Sequence, residues 1–125
     1  MAKLLVVDDE AKIRDILVEF FTRMGFNVIQ AKGGEEAIAL LKADKAIDLM
    51  ILDMKMPGST GIDVLKMKNE MKDERPVILL TGTVSQENIK VIGFSMADDV
   101  VYKPFDLFLI LGMVKKKLMK KSLDS

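Results

Sequence analysis

Short apolar runs alternate with amphipathic stretches five times along this chain. Residues 3–7, 27–31, 48–52, 76–80 and 99–102 form compact apolar runs, and their length and bounding turn residues predict strands. Between them, Ile13, Ile16, Leu17, Phe20, Phe21 and Met24 recur at helical spacing, and Gly25 follows as a C-terminal stop. Ala37, Ile38, Leu40 and Leu41 form a second such stretch after a Gly33-Gly34 turn. Ile62, Val64, Leu65, Lys68 and Met71 form a third after Gly61. Ser85 is the expected N-cap of a fourth, which carries Ile89, Val91, Ile92 and Phe94. Pro104, lacking an N–H, is placed at the start of the fifth.

A strand–helix alternation with such short connections implies a five-stranded parallel sheet with helices on both faces, an α/β fold. No linker or repeat divides the chain. One domain is expected over residues 1–121, with a polar tail or the start of a linker at 122–125. In such a sheet, ligands gather beyond the carboxyl ends of the strands, where the strand order reverses. That rule selects the residues able to meet. Asp8, Asp9 and Glu10 follow the first strand, Asp53 the third, Thr81 the fourth and Lys103 the fifth. The second strand ends in Ala31-Lys32 and offers no acid.

Composition narrows the chemistry. Lysine plus arginine equals aspartate plus glutamate at 19 each, so net charge gives no sign of nucleic acid or an anionic membrane as partner. Cysteine and histidine are both absent, which removes thiolate and imidazole chemistry and leaves carboxylates, hydroxyls and lysines. The opening MAKLLVVDDE is too short in apolar residues for a signal peptide, and a cytoplasmic protein is expected.

Asp8, Asp9 and Asp53 brought together would repel one another and raise at least one pKa unless compensated. A hard divalent cation such as Mg²⁺ is one compensation and the Lys103 ammonium another. A carboxylate beside Mg²⁺ and a lysine is equipped to accept a phosphoryl group, with the Thr81 hydroxyl able to bond a phosphoryl oxygen. Each motif alone is weak: an Asp-Asp pair usually caps a turn or helix, and Lys-Pro commonly enters a helix. Their convergence at one sheet edge carries the argument.

The stretches LLVVDDE, LMILDMKMPGSTG, VILLTG and ADDVVYKPF, in this order and spacing, resemble the receiver domain of two-component response regulators across the whole chain. The resemblance implies a flavodoxin-like sheet of strand order 2-1-3-4-5. It also implies a phosphorelay switch, phosphorylated by a sensor histidine kinase or phosphotransfer protein. Carried over by position, Asp53 is the phosphoacceptor. Asp9 and Asp53 ligate Mg²⁺ with the backbone carbonyl of Lys55, and Asp8 acts through water. Thr81 is the switch hydroxyl and Lys103 contacts the phosphoryl group. A dimer or effector surface is implied on the face of the fourth helix, fifth strand and fifth helix, with no direct nucleic-acid or membrane contact.

Departures from the family pattern cluster late in the chain. Val100 stands where an aromatic is usual, and Tyr102 shares its strand face two residues on. Met96 replaces a usual glycine, and Gly82 follows the switch hydroxyl in place of alanine. Intact chemistry with an altered readout is expected. Residues 107–114 are apolar apart from Gly112 and reach every side of a helix, so part of that helix is expected to face away from the sheet. The lysines of KKKLMKK suit a helix C-terminus better than a nucleic-acid surface, since no aromatic interleaves them. The scattered methionines read as core filling.

Two rival functions use the same residues. A Mg²⁺-dependent aspartyl-phosphate phosphatase of haloacid-dehalogenase type would need an acid two residues after the nucleophile, where Lys55 stands. A pseudo-receiver that acts without phosphorylation would not need the complete set of acids, threonine and lysine.

Overall fold

The computed structural model describes residues 2–56, 59–82 and 97–124. The expected fourth helix with Ser85, the Pro57-Gly58 turn and Met96 lie outside the described residues. In chain order the elements are β1 (Lys3–Val7), α1 (Ala11–Arg23), β2 (Asn27–Ala31), α2 (Gly34–Ala43), β3 (Leu49–Asp53), β4 (Lys55–Met56), β5 (Ser59–Thr60), α3 (Gly61–Glu70), β6 (Val77–Thr81), β7 (Asp99–Tyr102) and α4 (Leu107–Asp124). Helix α4 is the fifth helix of the sequence pattern.

Strands β2, β1, β3, β6 and β7 form one parallel sheet in that spatial order. Counting only these five, the order is the expected 2-1-3-4-5. Side chains alternate across the sheet and build two cores. Leu5, Val7, Met50, Leu52 and Leu79 face α2 and α3. Leu4, Val6, Ile51, Ile78 and Val101 face Leu17 and Phe21 of α1 and Ile110 and Val114 of α4. Every residue of β3 and β6 is buried, which is why these strands read as unbroken apolar runs.

Local boundaries mostly follow the turn chemistry. Gly25 ends α1 in the left-handed region at φ +95°. The expected place of Pro104 does not hold. The Lys103–Pro104 bond is cis, and α4 begins three residues later, where the Asp106 carboxylate accepts the Phe108 N–H at 2.8 Å. Helix α4 continues to Asp124, beyond the boundary expected at 121. Its apolar run does reach several sides, as expected: Ile110, Leu111 and Val114 are buried while Phe108 and Leu109 are exposed.

Strands β4 and β5 form a two-residue antiparallel ladder, Lys55 opposite Thr60 and Met56 opposite Ser59, where only a turn was expected. The chain then returns beside Asp53. The Gly61 N–H donates to the Met54 carbonyl at 2.7 Å. A Cβ on Gly61 would stand 2.9 Å from both the Asp53 carbonyl oxygen and the Met54 Cα. Only glycine permits that approach.

Candidate functional site

The parallel register brings the carboxyl ends of β1, β3, β6 and β7 to one edge. The order reverses between β1 and β3, so Asp8 and Asp53 flank the switch point. Asp8, Asp9 and Asp53 each offer a carboxylate oxygen, and the three oxygens lie within 4.8 Å of one another. Asp8 and Asp53 are buried and Asp9 is exposed. Thr81, the last residue of β6, is buried as well. Its carbonyl accepts the Lys103 N–H at 2.7 Å, tying the two strand ends together. The Lys103 ammonium then donates to Asp53 Oδ1 at 2.9 Å. Burial pulls the Lys103 pKa down, but the hydrogen bond and charge of Asp53, with Asp8 and Glu10 behind it, carry it above the ordinary lysine value.

Asp8 carries the electrostatic character of the site. Its N–H donates to the Ala31 carbonyl at 3.2 Å, and its Oδ1 accepts the Glu10 N–H at 2.9 Å. Its carbonyl accepts from the Arg14 guanidinium at 2.7 Å. Oδ2 is buried and accepts no hydrogen bond. Burial, with Asp53 and Asp9 adding repulsion, pushes the Asp8 pKa to about 6 against the Glu10 hydrogen bond. An orphaned carboxylate oxygen beside two further acids fits a hard cation with oxygen ligands, which is the donor set Mg²⁺ prefers.

The expected acids, Thr81 and Lys103 therefore converge at one edge. Lys55 is placed in β4 immediately beyond them. Tyr102 pairs in register with Thr81 and is half-buried, while Val100 packs partly buried against the core under α2 and α3. Gly82 is exposed, and a Cβ there would meet only the Lys103 stem at 3.9 Å. Sequence reasoning missed Arg14 and Gln30, whose side chains bond each other at 2.9 Å beside the acidic loop. A signal was present: Arg14 precedes the buried Leu17 and Phe21 by three and seven positions, on the core-facing stripe of α1.

A doubly wound sheet of this order, with acids and a lysine at its switch point, defines the receiver class of signalling domains. The chain belongs to the response regulator receiver domain family, which it matches over residues 4–115. It is 43% identical over 107 residues to the transcriptional regulatory protein CpxR of Escherichia coli K12, covering 85% of this chain and 44% of that protein. Identity to the transcriptional regulatory protein ResD of Bacillus subtilis is 40% over 125 residues, 98% of this chain and 50% of that protein. The chain thus spans about half the length of these curated relatives. Among solved structures, the receiver domain of the Francisella response regulator 1452 superposes with a TM-score of 0.89 at 30% identity, covering 97% of this chain and 99% of that one. Response regulator TrrA of Thermotoga maritima, solved in complex with Mg²⁺-BeF, superposes with a TM-score of 0.84 at 34% identity over 94% of this chain and 99% of that one. No helix among the described residues is long and apolar enough to cross a membrane.

Proposed function

We propose that Asp53 accepts a phosphoryl group from a phosphohistidine on a partner kinase or phosphotransfer protein. The observation that carries this is the Lys103–Asp53 contact at 2.9 Å beside the three-acid cluster. An Asp53 carboxylate oxygen bonds to phosphorus as the phosphorus–nitrogen bond to the donor imidazole breaks, and the imidazole leaves. Strand β3, buried along its whole length, holds the nucleophile still. The Lys103 ammonium offsets charge on the transferred group, and the Thr81 hydroxyl bonds one of its oxygens. Asp9, Asp53 and the Lys55 carbonyl would hold Mg²⁺, with Asp8 acting through water, and the bound ion would supply positive charge that favours the developing negative charge of the transferred group. Water attacking the same phosphorus later breaks its bond to the Asp53 oxygen, releases inorganic phosphate and restores the carboxylate. Lys55, in place of a second catalytic acid, opposes the phosphatase alternative.

The phosphorylated state is read through Thr81, Gly82 and β7. Val100 is already packed, so Tyr102, beside Lys103 and in register with Thr81, is the aromatic able to respond. The partner or dimer surface would include β7 and α4, the helix on which Leu109 is exposed; the expected fourth helix lies outside the described residues. The receiver itself makes no nucleic-acid contact in this reading.

Intact-mass measurement after incubation with Mg²⁺ and acetyl phosphate tests the reaction. One phosphoryl mass is expected on the wild type and none on Asp53→Ala; a gain that survives the substitution removes Asp53 from the role. Tyr102→Ala should keep the mass gain and lose the phosphorylation-dependent change in oligomeric state or partner binding. An unchanged response would place the readout elsewhere.

A further inference from the structure

We propose that Arg14 is a positioning residue for the acidic cluster, acting through the Asp8 backbone. The proposal rests on reading Asp8, Asp9 and Asp53 as a divalent-cation site. The Arg14 guanidinium donates twice, through Nη1 to the Asp8 carbonyl at 2.7 Å and through Nε to Gln30 Oε1 at 2.9 Å. Gln30 lies on β2, the strand that also gives the Ala31 carbonyl to the Asp8 N–H. The loop from β1 into α1 is thereby fixed from two elements at once.

This arrangement has a specific consequence for Asp8. Its N–H, carbonyl and Oδ1 are all committed, the last to the Glu10 N–H, and Oδ2 alone accepts no hydrogen bond, in a carboxylate that comes within 4.8 Å of those of Asp9 and Asp53. With the carbonyl and N–H both anchored, the Asp8 backbone is held in place beside the cluster, and the Glu10 N–H on Oδ1 limits how far the carboxylate can turn from it. A guanidinium suits this task because its planar fork serves two acceptors in fixed relation. A lysine offers a single charged centre at the end of a flexible stem and cannot hold both. The surface pair Arg23–Glu19, on the same helix, makes no such link and provides the contrast.

Calorimetric titration of the whole chain with Mg²⁺ alone tests the proposal, paired with urea unfolding in EDTA. Arg14→Met keeps the stem and loses both bonds; its Mg²⁺ affinity should fall about tenfold, the low end for a residue supporting metal ligands. Arg14→Lys should recover part of that loss. Gln30→Ala, which removes only the outer anchor, should weaken binding about threefold, with metal-free stability close to wild type. Arg23→Met should bind as wild type does. Affinities of Arg14→Met and Gln30→Ala within about twofold of a wild type that binds Mg²⁺ would overturn the role of Arg14 alone. A wild type that binds no Mg²⁺ would overturn the cation site and this proposal together. Should Arg14→Met not fold, Gln30→Ala decides, because its contact lies on the exposed rim of the sheet.

Discussion

Asp8 has one carboxylate oxygen bonded to the Glu10 amide and the other buried without a partner. Burial first, then repulsion from Asp53 and Asp9, holds its pKa at about 6. A cation taken up there must displace the proton, so binding and titration are linked. Apparent Mg²⁺ affinity should therefore rise about tenfold per pH unit below pH 6 and level off above about pH 7. Calorimetry across buffers of different ionisation enthalpy should show about half a proton released per Mg²⁺ near pH 6. Asp8→Asn should flatten the profile; an affinity unchanged between pH 5 and 7 in the wild type would sink the linkage. At this scale the sequence located the carboxylates, Thr81 and Lys103, because strand ends are legible from apolar runs. It did not reveal Arg14, since a guanidinium reaching back to a loop depends on where that loop and β2 come to rest.

Among the described residues, elements of four or more residues were legible and the two-residue strands were not. The strands at 3–7, 27–31 and 99–102 match the expected runs, and β3 and β6 each begin one residue later than expected. Two-residue strands such as β4 and β5 carry no periodicity, and their pairing follows from Gly61 closing on Met54. The connection after α3 also escaped notice, yet it holds a buried charged network. Lys68, placed by the sequence on the apolar stripe of α3, is buried and donates to the Asp73 carbonyl at 2.7 Å. The Arg75 guanidinium bonds the Asp73 carboxylate and also the Leu41 and Asp44 carbonyls at the end of α2, at 2.5 and 2.8 Å. Those carbonyls have no partner within the helix, so Arg75 serves as its C-terminal cap.

Burial alone would raise the Asp73 pKa; the Arg75 hydrogen bonds and the Lys68 and Arg75 charges instead bring it to about 2. A carboxyl depressed in the folded state adds stability above its unfolded pKa near 3.8 and loses it as pH falls through about 2. Asp73→Asn should thus cost about 2 kcal/mol at pH 7, and the difference from wild type should shrink toward zero near pH 2. Urea unfolding at the two pH values checks this. An equal difference at both would assign the loss to packing rather than charge.

Across the whole molecule, the two charged clusters occupy opposite ends of the sheet. Asp8 and Asp53 stand at the carboxyl ends of β1 and β3, whereas Asp73 and Arg75 precede the start of β6. Five-residue strands separate them by about 17 Å, too far for shared partners. Their effects on stability have opposite sign. A carboxyl whose folded pKa is raised costs nothing below its unfolded pKa of 3.8, and the cost grows up to about pH 6 and stays constant above it. The rise to about 6 corresponds to about 3 kcal/mol at most. Asp8→Asn should therefore stabilise the metal-free protein at pH 7.5 by about 1–3 kcal/mol and do little at pH 3.5. Combined with Asp73→Asn, the two changes should add to within about 0.5 kcal/mol at pH 7.5. Chemical unfolding in EDTA of both single variants and the double variant measures this. A coupling above about 1 kcal/mol would show that the ends communicate through the sheet, and a destabilising Asp8→Asn would mean that the acid cluster is not under electrostatic strain.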